Sequence, residues 1–585
     1  MHTVNRPNWT FVVADSLEKV FTDEEPRAMD MSIPLTAFAG ETVSFQIAFR
    51  PPAAQSFDAV GSVVIAVDGD AASLTVLSSV ELVPCTLLAY DGHDDGYLRD
   101  TAGLYPDLLR PLGTEGDMVP YLGQWRAVWV SVTAPDGAEG EVPVTVTVHS
   151  AKTGGLLHTV TVPVRFSSIR LPELDIVNTH WVHCDGLADF YGDEVFSEEH
   201  WRTIERFITK AAEMGVNSVL TPTWTPPLDT AVGGVRRPVQ LVDIIDEGGA
   251  YRFDFAKLRR WMTICRRSGM RGLEIAHLFT QWGAEYTPAV YVMTDGDLEQ
   301  RFGWHIRATD PEYRRLLEAL LPALLDVLST EWGLDNVIFH ISDEPHGPRM
   351  LKSYQAARAV VADLLEGITV VDALSDYEFY TSGAVEQPVI ATDALEPFLE
   401  RGIPSLWVYH CLGQHKDVAN RFIGLPSSRN RVLGTQLFLL GAAGFLHWGF
   451  NFYNTQYSTR PLNPFQDTCA GGGFIAGDSF IVYPGDGGVP WESLRFRVFA
   501  EAMMDHRAMQ LLRSLAGMEA VRSIVDPGGT VTATRYSTDP DHYRRVRAVL
   551  SAEIVRRASE KSLTRPDRNP AYPGPSLTRE APKAF

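Results

Sequence analysis

The sequence is poor in cysteine, in basic residues and in long apolar runs, and each shortage excludes a class of protein. Its five cysteines are far apart and form no CxxC pair, which argues against a disulfide framework and against a zinc site. Acidic residues outnumber basic ones by 73 to 51, so a nucleic acid or an anionic membrane is not expected as partner. No apolar run could span a membrane, and the N-terminus lacks the basic start and apolar core of an export signal. We therefore expect a soluble cytoplasmic protein.

Sequence patterns for metal or phosphate binding are also missing. His180 and His183 are three residues apart, so on a strand they would face opposite sides and could not share a metal as in amidohydrolase-type barrels. The glycine run 471–473 lacks the Lys and Ser/Thr that would hold a phosphate. The acidic segment 91–97, DGHDDGY, does not have the spacing of an EF-hand calcium loop. The sequence thus predicts neither a metal nor a cofactor.

The pattern of the chain changes near residue 170. Before that point apolar and polar residues alternate in short segments separated by Gly, Pro, Asp and Asn, which predicts an antiparallel β-sandwich over residues 1–170. After it, strand-like and helix-like segments alternate, which predicts a TIM-like (β/α)8 barrel over residues 171–515. The predicted fold class is therefore α/β, with the sandwich preceding the barrel.

The barrel prediction depends on eight strand-like segments, and the fifth connection between them is too short for a full helix. The predicted strands are Thr179–His183, Ser218–Thr221, Gly272–His277, Val337–Ile341, Thr369–Asp372, Val389–Thr392, Leu406–Tyr409 and Gly444–His447. The predicted helices are Glu198–Met214, Asp254–Ser268, Pro311–Thr330, Arg349–Glu366, Leu395–Arg401 and Ser428–Leu440. Beyond the barrel we predict an extension at 516–562, with a strand pair at 521–534 and a helix at 541–561, and a flexible tail at 563–585.

The segment Asn336–Gly347, NVIFHISDEPHG, is the strongest candidate for a catalytic motif. A β-branched run ends there at two adjacent carboxylates, Asp343 and Glu344, which we call the acid pair. The carboxyl ends of parallel strands are where α/β folds bind ligands. An acidic residue before a proline is also a common helix cap, so the surrounding residues must decide between the two interpretations. Neighbours on a regular strand face opposite sides, and we therefore predict a bulge or turn at or before Asp343.

Acidic, amide and aromatic residues follow the other predicted strands. Aromatic rings suit the apolar face of a pyranose, and amides and carboxylates suit its hydroxyls, so the cluster suggests a carbohydrate pocket for a small oligosaccharide or glycoside. Histidines also occur at these strand ends, at positions 277, 410 and 447. The candidate substrate-binding residues are His183, Asp185, Trp224, Trp282, Asp372, Tyr409, Trp448, Asn451 and Tyr453.

Several of these stretches together resemble glycoside hydrolase family 123 and relatives with the C-terminal domain of unknown function 4091. The similarity covers about Asn178–Leu512 and comprises the fourth-strand Asp-Glu-Pro, the eighth-strand HWGFNFYN, and GDSFIVYPG followed by SLRFRVFAEAMMDH. Members of the family are β-N-acetylgalactosaminidases acting on glycosphingolipid-type glycans. The resemblance implies a retaining, substrate-assisted reaction in which the sugar's acetamide oxygen attacks the anomeric carbon. It assigns Asp343 to orient the acetamide N–H and Glu344 to act as acid and base.

Three functions therefore compete. The first is an exo-acting hydrolase of terminal β-linked 2-acetamido sugars, N-acetylgalactosaminide in type. The second is a hydrolase of a sugar without the acetamide, which would need a second carboxylate, Asp185 or Asp372. The third is a carbohydrate-binding protein without catalysis. Because no export signal is visible, a small imported glycoside fits better than a polymeric or lipid-linked substrate, and a homo-oligomer is compatible with the sequence.

Overall fold

The structure of the chain, a computed structural model, describes residues 9–53, 56–112 and 116–563. The expected tail lies outside the described residues, except for Leu563 at the end of the last helix. The fold is mixed α/β, as predicted, with mainly antiparallel sheets near the N-terminus and a nearly closed barrel of eight parallel strands after them. Within the described ranges no helix combines the length and apolarity needed to cross a bilayer, and the cytoplasmic location stays a prediction.

Two sheets with a common core form the N-terminal part. Their strand orders are β1-β3-β8-β5-β6 and β2-β10-β9-β4-β7. Because alternate residues of a strand share one face, valines such as Val130 and Val146 meet between the sheets in one core. The elements are β1 (Thr10–Asp15), β2 (Leu35–Phe38), β3 (Thr42–Arg50), α1 (Phe57–Val60), β4 (Val63–Asp68), β5 (Thr75–Cys85), β6 (Gly103–Pro111), β7 (Asp117–Met118), β8 (Arg126–Thr133), β9 (Gly140–Ser150) and β10 (Leu156–Ser167).

The barrel follows with strands, helices and two longer excursions. Its elements are β11 (Val177–His180), α2 (Cys184–Tyr191), α3 (Glu198–Glu213), β12 (Ser218–Thr221), β13 (Asp243–Asp246), β14 (Tyr251–Asp254), α4 (Ala256–Arg267), β15 (Gly272–Ile275), β16 (Val290–Thr294), β17 (Asp297–Phe302), α5 (Pro311–Glu331), β18 (Val337–Ile338), α6 (Gly347–Val361), β19 (Val371–Leu374), α7 (Tyr377–Thr381), β20 (Gln387–Ala391), α8 (Glu396–Arg401), β21 (Trp407–Tyr409), α9 (Ser428–Arg431), α10 (Leu433–Leu440) and β22 (Gly444–His447).

The eight predicted barrel strands are all present and lie in the order β18-β15-β12-β11-β22-β21-β20-β19. The two edge strands are joined through Phe339, whose N–H donates to Thr369 O (3.0 Å) and whose carbonyl accepts from Val371 N (2.9 Å). The fifth connection contains only the five-residue helix α7, which agrees with the prediction that it is too short for a full helix. The excursions after β12 and β15 form a separate sheet, β14-β13-β16-β17, which was not predicted from the sequence.

The chain after the barrel returns to the N-terminal sheets. It forms β23 (Tyr483–Pro484), β24 (Pro490–Ser493), α11 (Leu494–Ala516), α12 (Met518–Val525) and α13 (Pro540–Leu563). β24 pairs antiparallel with β6, so the first sheet gains two strands from beyond the barrel. The strand pair predicted at 521–534 is wrong, because residues 518–525 are helical. Val521 and Val525, four residues apart, share one helix face and are buried in a core that α11 and α13 also enter.

Candidate active site

A cavity of about 260 Å³ lies at the carboxyl ends of the barrel strands and contains the acid pair. A larger cavity, of about 540 Å³, lies between α6 and the starts of β19 to β21, and neither acid lines it. The smaller cavity is therefore the candidate active site. Its lining residues are Trp181, Leu228, Asp229, Gln281, Trp282, Asp343, Glu344, Ala373, Tyr409, Cys411, Leu412, Gly413, Leu446, Trp448, Gln456, Tyr457 and Phe474.

The acid pair lies in a turn, as predicted from the side-chain alternation of strands. β18 ends early, at Ile338, and the carboxylate of Asp372 then accepts hydrogen bonds from the backbone N–H of Ile341 (3.0 Å) and Ser342 (3.1 Å). Glu344 has a left-handed φ of 43°, and its N–H donates to Ala373 O (3.1 Å). A side chain of the fifth strand thus replaces the strand ladder and sets the direction in which both acids point.

The two acids have different surroundings. Burial and the neighbouring Glu344 raise the pKa of Asp343 well above its usual range. No described residue donates a hydrogen bond to the Asp343 carboxyl, so it is free for a ligand. Glu344 is held in place, because its Oε1 accepts from the Tyr409 hydroxyl (2.7 Å) and from the Cys411 thiol (3.5 Å).

A buried charged group supports the turn from below. His340 Nε2 lies 2.7 Å from Glu274, and its Nδ1 lies 3.4 Å from Asp372. Burial alone would lower the pKa of His340, but the two carboxylates outweigh it and raise the pKa to about 10. The imidazolium in turn favours the ionised form of Asp343. Glu274 also accepts a hydrogen bond from Trp181 Nε1 (2.6 Å). The Glu274 carboxylate therefore orients both His340 and an aromatic residue of the cavity.

Aromatic rings form much of the cavity wall. Trp282 and Tyr457 meet edge to face, with ring centroids 5.9 Å apart. Trp448 packs edge to face on Phe474 at 5.4 Å, and its Nε1 donates to buried Asp478 (3.1 Å). Flat apolar faces beside carboxylates suit the apolar face and the hydroxyls of a pyranose ring.

Five of the residues singled out in the sequence line the cavity: Asp343, Glu344, Trp282, Tyr409 and Trp448. The other six do not line it, so the expectation that they contact the substrate needs correction. Two of them, His183 and Asp185, are buried around Arg236, which donates to Asp185 (2.8 Å) and to His183 Nδ1 (3.1 Å). The side chains of His183 and Asp185 are therefore already occupied by hydrogen bonds within the protein.

The remaining four are also occupied with structural hydrogen bonds. The Asn451 side chain accepts from the His183 N–H (2.8 Å) and donates to the His183 carbonyl (3.1 Å). Trp224 Nε1 donates to His277 O (2.9 Å), and the Tyr453 hydroxyl donates to Val482 O (2.8 Å). Asp372 is fully buried and holds the turn, so it positions the acid pair from outside the cavity.

The strand-end histidines at positions 277, 410 and 447 are buried. Burial lowers the pKa of His277, His410 and His447 well below the usual value, which favours the neutral imidazole. In the part of the chain that the structure describes, no group of three or more His, Cys, Asp or Glu is arranged to hold a metal ion.

Several cavity residues were not identified from the sequence. Trp181 falls inside the predicted first strand, where an aromatic residue is indistinguishable from core. Asp229, Gln281 and Tyr457 lie in long excursions without periodicity, although an acid after the Pro-Pro of TWTPPLDT could have been noted. Burial raises the pKa of Asp229 to about 7, which is typical of a functional carboxyl.

Comparisons with protein-family models and with solved structures identify the family of the chain. The family model "Glycoside hydrolase 123, catalytic domain" matches residues 181–512, which is more than half of the chain. A family 123 glycoside hydrolase structure from Clostridium perfringens, described for glycolipid glycan hydrolysis, has the same fold at 12% identity, with TM-score 0.68 over 95% of this chain and 100% of that one. A Bacteroides ovatus family 5 xyloglucanase aligns at 10% identity and TM-score 0.31, over 85% of this chain and 100% of that one. No curated protein sequence matched. The chain therefore belongs to glycoside hydrolase family 123 and is a glycoside hydrolase.

Proposed function

We propose that the protein is a retaining exo-hydrolase that removes a terminal β-linked 2-acetamido sugar, N-acetylgalactosaminide in type, by substrate-assisted catalysis. The observation that carries the proposal is that the two carboxyl groups of the acid pair have different surroundings. Asp343 has a carboxyl that is free for a ligand, whereas Glu344 is fixed by Tyr409 and Cys411 on the same cavity wall. A free acceptor next to a fixed acid is what an acetamide nucleophile and a departing oxygen require.

In the proposed reaction Asp343 acts on the acetamide, and Glu344 transfers the protons. Asp343 accepts the acetamide N–H while the acetamide oxygen bonds to the anomeric carbon and the glycosidic C–O bond breaks. Glu344 gives its proton to the departing oxygen. Glu344 then takes a proton from the water that attacks the anomeric carbon and reopens the oxazolinium ring. Asp343 stabilises the positive charge that develops on the acetamide nitrogen, and the low-dielectric cavity strengthens this interaction.

The cavity suits one uncharged sugar ring. Its volume of about 260 Å³ is below the range of roughly 300–1,000 Å³ that is common for pockets of drug-sized ligands. Three carboxyl groups line it, and no Lys, Arg or His is among the described lining residues. A uronic acid or a sulfated sugar would therefore meet like charge without a cation to pair with.

The alternative without an acetamide is weaker, because its second carboxylate was expected to be Asp185 or Asp372. Both are buried and bonded elsewhere, to Arg236 and to the turn below the acid pair respectively. The third alternative, a carbohydrate-binding protein without catalysis, is dropped because the chain matches a glycoside hydrolase catalytic domain. We also propose that the barrel is of the TIM (β/α)8 type and that the two N-terminal sheets form a sandwich, which the strand order and the common core support.

Hydrolysis of nitrophenyl N-acetyl-β-galactosaminide, compared with the galactoside that lacks the acetamide, tests the reaction. We expect turnover of the first substrate, inhibition by a thiazoline mimic of the cyclised acetamide, and a loss of at least 100-fold in kcat for Asp343→Asn and Glu344→Gln. Glu366→Gln, on an exposed residue outside the cavity, is the matched control and should keep full activity. Unchanged activity in both acid variants, or indifference to the thiazoline, would overturn the proposal.

A further inference from the structure

Asp229 is the one acidic side chain that lines the cavity besides the acid pair, among the described residues. It lies in the long excursion after β12, and the reaction proposed above gives it no role. Its partners come from two other excursions, those after β15 and β22, so three loops of the barrel mouth meet at this residue.

Hydrogen bonds hold Asp229 from several sides. Tyr457 N donates to its Oδ2 (2.9 Å), and the Ser458 hydroxyl donates to its carbonyl (2.6 Å). On the opposite side, Asp229 N–H donates to the Gln281 side chain, whose Nε2 donates to Thr230 O (3.2 Å). One hydrogen bond to the carboxyl and two to the backbone thus hold Asp229 before any ligand arrives, which reduces the entropy that binding would otherwise cost.

Backbone strain is concentrated around the same residue. Trp282 and Tyr457 have φ 61° and Ser458 has φ 52°, in the left-handed region that residues other than Gly, Asn and Asp rarely adopt, and Asp229 itself has φ 37°. Such conformations persist where the surroundings enforce them, and they cluster at ligand sites. The edge-to-face pair of Trp282 and Tyr457 therefore stands beside Asp229 in a defined orientation.

The carboxyl of Asp229 has one oxygen in use and one free. Oδ2 is bonded to Tyr457 N, whereas no donor reaches Oδ1 from the described residues. Burial already penalises its ionised form and raises its pKa to about 7. A hydroxyl from a ligand would supply the missing donor at a half-buried site, where a hydrogen bond discriminates strongly between ligands.

We infer that Asp229 is a specificity-determining residue: its free Oδ1 accepts a hydrogen bond from a ring hydroxyl of the terminal sugar, and Trp282 and Tyr457 fix the plane of that sugar. The inference rests on the proposed function, because it assumes that a sugar ring occupies the cavity. A role as nucleophile fits less well, since that carboxyl must be ionised at working pH and free to reach the anomeric carbon.

Two substitutions separate recognition from mere support of the loops. In Asp229→Asn the amide oxygen can still accept from Tyr457 N, while an NH2 donor replaces the free acceptor Oδ1. Asn also tolerates the positive φ. Asp229→Ala removes the acceptor and the loop contact together. Asp295→Asn is the matched control, because Asp295 also has a positive φ (51°) but lies exposed in a turn outside the cavity.

The experiment measures kcat/KM for nitrophenyl N-acetyl-β-galactosaminide and for its 3-, 4- and 6-deoxy analogues with each variant. We expect one deoxy analogue to lose about 10- to 100-fold with the wild-type protein, and less than threefold with Asp229→Asn. Asp229→Asn should itself lose about 10- to 100-fold on the parent substrate, mainly through KM, and Asp295→Asn should behave as wild type. Only a residue that touches the missing hydroxyl can abolish that difference.

Three outcomes would overturn the inference. They are wild-type kinetics of Asp229→Asn, equal deoxy losses in variant and wild type, and a loss confined to kcat, which would indicate a catalytic role. Failure of the proposed function has a different signature, namely no turnover of the parent substrate by the wild-type protein. In that case calorimetric binding of N-acetylgalactosamine and its deoxy forms to wild type and Asp229→Asn still decides the role of Asp229.

Discussion

At the scale of single residues, the acid pair owes its asymmetry to what surrounds each carboxyl. Asp343 is desolvated, lies beside Glu344 and receives no hydrogen bond from the described residues, so its pKa is raised. An acetamide N–H would donate to the ionised form and lower that pKa in the complex. Substrate binding and proton release from Asp343 are therefore linked in the proposed mechanism.

This linkage predicts different acidic limbs for the two kinetic parameters. Because Asp343 must be ionised to accept the N–H, kcat/KM should fall as the pH drops through its raised pKa in the free enzyme. The kcat limb should lie at lower pH, since kcat reports the complex. Profiles from pH 3 to 9 with nitrophenyl N-acetyl-β-galactosaminide measure both. Coinciding limbs near the ordinary aspartate value of about 3.9 would contradict the prediction.

At the scale of elements, the shortness of β18 is what brings the acid pair to the cavity. The strand ends at Ile338, and the Asp372 carboxylate supplies acceptors to the backbone where a ladder partner is missing. The Tyr354 hydroxyl donates to the same carboxylate. Asp372 thus connects β19, α6 and the turn, although it does not line the cavity.

Asp372→Ala should therefore damage both stability and activity. It leaves two buried backbone N–H groups and one hydroxyl without their acceptor, at about 1–3 kcal/mol each, and we expect a loss of about 3–5 kcal/mol in the free energy of unfolding. Relaxation of the turn should lower kcat by at least tenfold. Urea unfolding and steady-state kinetics measure the two effects.

Asp376→Ala is the control for this prediction. Asp376 caps α7 through Glu378 N (3.0 Å) and also accepts from Gly347 N (2.9 Å), in the loop that follows β19. Loss of the helix cap and of the bond from Gly347 should cost about 1–2 kcal/mol, and kcat should change little. If Asp372→Ala were no more harmful than Asp376→Ala, Asp372 would not be what holds the turn.

The barrel strands and the acid pair could be predicted from the sequence because both depend on local patterns. Short β-branched runs between helical patterns identify the strands, and Asp-Glu-Pro identifies a turn. The contact between the cavity residues Asp229 and Tyr457 could not be predicted from local patterns, because the two residues are 228 positions apart in the sequence. Asp185 was misassigned for another reason: a buried ion pair and a substrate ligand use the same residue types at the same strand ends.

At the scale of the whole molecule, strand pairing and a buried ion pair connect the N-terminal sheets to the chain that follows the barrel. β24 from beyond the barrel pairs with β6, and Arg495 of α11 binds Asp107 of β6 through two hydrogen bonds of 2.8 Å, with both side chains buried. Arg495 also donates to Gly477 O (2.7 Å), next to the Asp478 that holds cavity residue Trp448. The first sheet is therefore part of the support of the cavity wall.

This connection predicts that both parts unfold together. Asp107→Ala leaves the buried guanidinium of Arg495 without its anion, which should cost about 3–5 kcal/mol and lower the urea midpoint. Far-UV circular dichroism, tryptophan fluorescence and hydrolytic activity should then be lost in one coincident transition, in the variant as in the wild type. Asp136→Ala, which removes an exposed ion pair with Arg170, should lower the free energy of unfolding by no more than about 1 kcal/mol. A barrel that still bound the thiazoline after the N-terminal sheets had melted would prove the two parts independent. Their shared strands and buried ion pair should prevent that, because the barrel cannot keep β24 and Arg495 in place without β6 and Asp107.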